Sequence, residues 1–115
     1  MTYTQKFQAR ADTAMSQVQG VCPHQVDGLL ATGAIALDIR DKEEHVADHL
    51  AASLHVSRRK LEMNIEGALP ALDTVIMCYR NAHHRGALSA ATLRSMGYVN
   101  VRYIAGGLRA YRALA

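Results

Sequence analysis

A single cysteine, Cys78, stands at the end of the apolar run "TVIM". Tyr79, Arg80, Asn81, Ala82, His83, His84 and Arg85 follow it before an alanine-rich helical pattern begins at Gly86. A cysteine is nucleophilic as the thiolate, which nearby cations and the positive end of a helix both favour. The segment offers two arginines, two histidines that titrate near neutral pH, and a loop whose backbone N–H groups can converge on an anion. These residue types fit nucleophilic chemistry by Cys78 on an anionic substrate, with 79–85 as the anion-binding loop. The competing reading is a buried structural cysteine closing a strand, the ordinary fate of a free cysteine. The helix start and the basic flank favour the catalytic one. Cys78 with His83 and His84 makes no metal site, because that spacing lacks a fourth ligand. No metal or organic cofactor is expected.

The rest of the chain must position that cysteine. At 115 residues it is long enough for one core and too short for two. Half the residues are hydrophobic and 20% are charged, the balance of a globular domain. The formal charge of +3 and pI of about 9.1 suit a small anionic substrate. The 13 Lys and Arg are scattered without a dense run, so no nucleic-acid partner is expected. Two cysteines so far apart make no disulfide framework. No segment has the length to span a bilayer and "MTYTQKFQARADTAMSQVQG" has no signal core, so a cytoplasmic protein is expected, with no membrane partner.

Strand and helix patterns alternate. Tyr3, Phe7, Ala11, Met15 and Val18 recur at helical spacing, predicting an amphipathic helix over 4–17. "CPHQVDGLLATG" reads as a short helix with Pro23 near its start, Gly33 as its stop and Cys22 where a cap would sit. "AIALDI" reads as a buried parallel strand. "DKEEHVADHL" reads as a helix with Asp41 and Glu44 as its capping box. "SLHVS" is a short strand, "RRKLEMNIEGAL" a short helix, "DTVIMC" the strongest strand and "GALSAATLRSM" the strongest helix, stopped at Gly97. "YVNVRYI" is a strand, Gly106-Gly107 a turn and "LRAYRALA" a closing helix. The expected fold is α/β, a central, mostly parallel sheet flanked by helices. Residues 1–19 form a helical extension and 20–115 the domain. In such sheets ligands bind beyond the carboxyl ends of the strands, where Cys78 lies. Arg58, Arg59 and Lys60 read as a solvated helix start.

"MCYRNAHHRGALSAATLRSMGYVNVRYIAGGLRAY" resembles the active-site half of a single-domain rhodanese, and "ALDIRDKEEHVADHL" is similar to that family's upstream segment, with Asp38, Arg40, Glu44 and His49 in the matching places. The resemblance covers roughly residues 20–112 and rests on several motifs in the right order. It implies a rhodanese-like fold and a thiosulfate sulfurtransferase-like activity. Cys78 would take the sulfane sulfur of thiosulfate as a persulfide and pass it to cyanide, a small thiol or a protein thiol. Arg85 would bind the departing sulfite or orient the loop. Asp38, Arg40 and His49 would give structural support. The implied partners are a small anionic sulfur donor and a thiol or protein acceptor, for a monomer or homodimer.

The chain departs from the family's pattern in three places. Its loop runs eight residues from Cys78 to Arg85, where the family uses six and phosphatase and arsenate-reductase relatives use seven. "DHLAAS" stands where the family has a glycine and a proline, and Tyr111 replaces a closing tryptophan. The longer loop is expected to open the mouth of the site, weakening the hold on thiosulfate and admitting bulky thiols. Two other readings are carried: a non-catalytic binding module on this fold, and a phosphatase or arsenate reductase using the C-x6-R loop.

Overall fold

The computed structural model describes Gln5, Lys6, Ala9, residues 18–82 and residues 86–114. Five strands, β1 (Gln19–Val21), β2 (Ile35–Asp38), β3 (Leu54–His55), β4 (Ile76–Tyr79) and β5 (Val101–Ile104), form one sheet in the order β1-β5-β4-β2-β3. Every pairing is parallel. The helices are α1 (Val26–Ala31), α2 (Lys42–Ala47), α3 (Leu61–Ala68), α4 (Gly86–Ser95) and α5 (Gly107–Arg112). Tight 3₁₀ turns at Pro23–Gln25 and Arg58–Lys60 lead into α1 and α3.

All four residues of β4 are buried, as a central parallel strand covered on both faces requires. Alternation splits them between two core layers. Ile76 and Cys78 pack with Leu37, Leu61, Ile65, Ala90 and Leu93, beneath α3 and α4. Met77 and Tyr79 pack with Val26, Leu50, Ile104 and Leu108, beneath α1 and α5. The capping box of α2 forms as its sequence implies, the Asp41 N–H donating to Glu44 Oε1 at 3.4 Å.

The sequence did not mark β1, a three-residue strand that opens at Gln19, the last residue of the expected extension. Its short, polar "QGV" carries no alternation to read. Of the helix expected over 4–17, Gln5, Lys6 and Ala9 are helical and the rest lies outside the described residues. Strand β4 also runs one residue further than expected: Tyr79 still pairs with Asp38, so Cys78 sits inside the ladder.

The start of α5 seats the loop after β4. Leu108 N–H donates to the Arg80 carbonyl and Arg109 N–H to the Asn81 carbonyl, both at 2.8 Å. This needs glycine at 107. Its φ is +66°, and a Cβ there would lie 2.5 Å from the Arg80 carbonyl oxygen and 2.8 Å from the Ala82 nitrogen. Gly107→Ala is therefore expected to lower the unfolding free energy by about 1–3 kcal/mol and to lift the loop from its seat. Urea denaturation checks the first effect, and an unchanged midpoint would show that the loop yields freely.

Candidate active site

Cys78 lies at the carboxyl end of the central strand, flanked in register by Leu37 of β2 and Tyr103 of β5. Helix α4 begins against it so closely that a Cβ on Gly86 would come within 2.7 Å of the Cys78 carbonyl oxygen. The thiol is fully buried, and burial pushes it up to about 12. Burial thus works against the thiolate that the helix start and the basic flank were expected to favour. Among the described residues the side chain packs in an apolar layer, and removal of water disfavours its charged form.

The loop residues divide. Tyr79 completes the strand, and its hydroxyl lies 3.2 Å from Asp38 Oδ2 and 3.0 Å from Ser53 Oγ while accepting the Leu50 N–H at 3.2 Å. Burial pushes its phenol up. Arg80 is half-buried, and its guanidinium has no hydrogen-bond or ion-pair partner among the described residues. Asn81 and Ala82 continue the bend away from the strand. His83, His84 and Arg85 lie outside the described residues, so the expected roles of that half of the loop rest on sequence.

Asp38 and Arg40 form a buried, forked ion pair. Asp38 Oδ1 accepts from the Arg40 backbone N–H at 2.9 Å and from Nε at 3.0 Å, and Oδ2 accepts from Nη2 at 2.8 Å. Burial would raise the Asp38 carboxyl, but the Arg40 hydrogen bonds, helped by one from His45, hold it below its ordinary 3.8. Arg40 then reaches the loop, with Nη1 donating to Asn81 Oδ1 at 2.8 Å. It also donates to the Asp48 carbonyl.

Beside this pair three imidazoles stack. The His45 ring lies 4.0 Å from His49 and 4.6 Å from His55, centroid to centroid. His45 Nδ1 meets Asp38 Oδ2 at 2.8 Å, His49 Nδ1 meets the His45 carbonyl at 2.6 Å, and His55 Nε2 meets the Arg40 carbonyl at 2.7 Å. Sequence reasoning singled out His49 alone. The i, i+4 spacing of His45 and His49 within a stretch that reads as one helix was the available signal, although α2 ends at Ala47; nothing linear announces His55, which arrives from β3.

A model of the rhodanese-like domain matches residues 23–114. The chain belongs to the rhodanese-like family. Thiosulfate sulfurtransferase GlpE of Pseudomonas fluorescens (strain Pf0-1) is 34% identical over 98 residues, 85% of this chain and 88% of that protein. The GlpE of Pseudomonas entomophila (strain L48) is 31% identical over 86% of this chain and 89% of its own. Among solved structures, a protein from Rhodopseudomonas palustris CGA009, described as of unknown function and a possible tyrosine phosphatase, superposes with a TM-score of 0.86. It is 27% identical, across 99% of this chain and 94% of that one. The human single-domain sulfurtransferase TSTD1 shares the fold, with a TM-score of 0.73 at 23% identity over 85% of this chain and 98% of its own. Within this rhodanese-like domain the parallel sheet and flanking helices agree with the fold expected from sequence. No helix among the described residues is long and apolar enough to cross a membrane.

Proposed function

We propose that the protein is a cytoplasmic sulfurtransferase that carries sulfane sulfur from thiosulfate, or a related anionic donor, through a Cys78 persulfide to a thiophilic acceptor. The observation that carries this reading is the placement of Cys78 at the carboxyl end of the central strand, with the start of helix α4 packed against it, in a chain 34% identical to a thiosulfate sulfurtransferase. The Cys78 thiolate attacks the outer sulfur of thiosulfate, and the S–S bond breaks with its electron pair leaving on sulfite. Cyanide or a thiolate then attacks the outer persulfide sulfur and returns Cys78 as thiolate. Arg80, with no partner among the described residues, and Arg85 supply positive charge for the donor and the departing sulfite.

A second reading has one observation in its favour. The R. palustris protein is similar along nearly the whole chain and is described as a possible tyrosine phosphatase. A phosphoenzyme on Cys78, with Arg85 binding the phosphate, would use the same loop.

Mass spectrometry of the intact protein separates the two. Thiosulfate is expected to add one sulfur atom, and cyanide to remove it as thiocyanate. A thiol pushed up to about 12 ionises in proportion to hydroxide below that pH, so the loading rate should rise about tenfold per pH unit from 7 to 9. A plateau in that range would mean that the basic loop holds the thiolate despite burial. No sulfur adduct, together with turnover of an aryl phosphate, would replace the sulfurtransferase by a phosphatase.

A further inference from the structure

Among the described loop residues, Asn81 has a side chain whose polar atoms are committed to the protein frame on both sides. Its Oδ1 accepts from Arg40 Nη1 at 2.8 Å, and its Nδ2 donates to Glu44 Oε2. Its carbonyl accepts from Arg109 N–H at 2.8 Å. Arg40 is itself fixed by the buried Asp38, and the other oxygen of Glu44 accepts from the Asp41 N–H that opens α2. One residue therefore ties the loop, through its side-chain amide, to Arg40 beyond β2 and the first turn of α2 and, through its carbonyl, to the first turn of α5. Only a group that accepts on one side and donates on the other fits between a guanidinium and a carboxylate.

We propose that Asn81 is a positioning residue that holds the loop after Cys78 in its donor-binding shape, acting through Arg40 and Glu44 rather than touching the donor. The clasp stands on geometry alone; its effect on donor binding rests on the persulfide reading. An anion enters a cradle of backbone N–H groups at low cost only when that cradle is shaped beforehand. Losing the clasp should thus weaken donor binding and leave the sulfur-transfer step nearly intact.

Introducing a charge and then removing its opponent tests the contact. Asn81→Asp keeps an acceptor for Arg40 but sets a carboxylate against Glu44. Adding Glu44→Gln restores a donor on the opposite side and keeps the acceptor that caps α2. The first readout is hydrogen exchange of the Leu108 and Arg109 amides, which bond the loop carbonyls whether or not the protein transfers sulfur. Asn81→Asp should speed their exchange about tenfold, and the added Glu44→Gln should bring it back to within about twofold of native. The second readout is kinetic: KM for thiosulfate should rise about tenfold in Asn81→Asp, with kcat changed less than about threefold, and should recover in the double variant. Asn81→Ala, which introduces no charge, should reproduce the loss without being rescued by Glu44→Gln. Unchanged exchange in Asn81→Asp and Asn81→Ala would overturn the clasp. Faster exchange with an unchanged KM would overturn its role in donor binding. A preparation with no sulfur transfer at all would count against the function proposed above, with the exchange data still deciding the clasp.

Discussion

Replacing Cys78 by serine is expected to abolish both sulfur loading and thiocyanate formation, a loss of more than about 10³-fold, while Cys22→Ser leaves both intact. Sulfur transfer needs a thiolate that can form and release an S–S bond, and a serine oxygen can do neither. Cys22 is exposed at the start of the turn before α1, where its backbone N–H is bonded to Gln25 Oε1 at 3.1 Å; it lies in no anion-binding loop. Because Cys78 is buried in an apolar layer, the serine hydroxyl would cost about 1–3 kcal/mol if left without a partner. The smaller Cys78→Ala variant therefore serves as a folding control, with circular dichroism confirming that each variant is native. The measurements are the intact mass after thiosulfate and the rate of thiocyanate release. Turnover persisting in both Cys78 variants would remove Cys78 from the mechanism.

The second large effect concerns stability. Asp38→Asn is expected to destabilise the fold by about 3–5 kcal/mol, because it leaves the Arg40 guanidinium buried without its counter-charge. The same change takes away the acceptor shared by His45 and Tyr79. The pH dependence has a definite sign. A carboxyl held below its ordinary 3.8 in the folded chain adds stability above that value, and the gain disappears as pH falls through the folded value. The native protein should therefore lose stability in acid below about pH 4, and Asp38→Asn should lack that component. Urea titrations at neutral pH and near pH 3 measure both. An equal midpoint for the two proteins at neutral pH would mean that the ion pair adds nothing beyond its own desolvation.

The sequence made the central elements legible because their signals are local. The buried strand before Cys78, the alanine-rich helix beyond Arg85, the α2 capping box and the turn at Gly106-Gly107 are each written in a few adjacent residues. What stayed hidden depends on direction and on distant partners. An apolar run does not say whether its last member stays beneath the helices or opens to the loop, so the choice between a buried and an accessible Cys78 could not be made from the sequence. Asp38 and Arg40 were placed as a structural pair, but their extension to Tyr79, Asn81 and Ser53 crosses three separate segments. The His45–His49–His55 stack joins a helix to an edge strand for the same reason. The extra length of the loop was plain in the sequence, and an open, loosely held mouth was the expectation. Residues 80–81 are seated on α5 and tied to Arg40 and Glu44, while His83, His84 and Arg85, on which that expectation turns, lie outside the described residues.

The strand order has a consequence for how the chain reaches this state. β1, near the beginning of the described chain, pairs only with β5, near its end, and β5 lies between β1 and β4. During synthesis β1 emerges first and finds no partner until almost the whole domain has left the ribosome, while β2, β3 and β4 can already associate. The last strand made must then slot between two waiting edges, which places the decisive step late and makes it depend on contacts distant in sequence. A chain stalled before β5 would present the open side of β4 and an unpaired β1 to its neighbours, so the vulnerable period for aggregation lasts until β5 is in place.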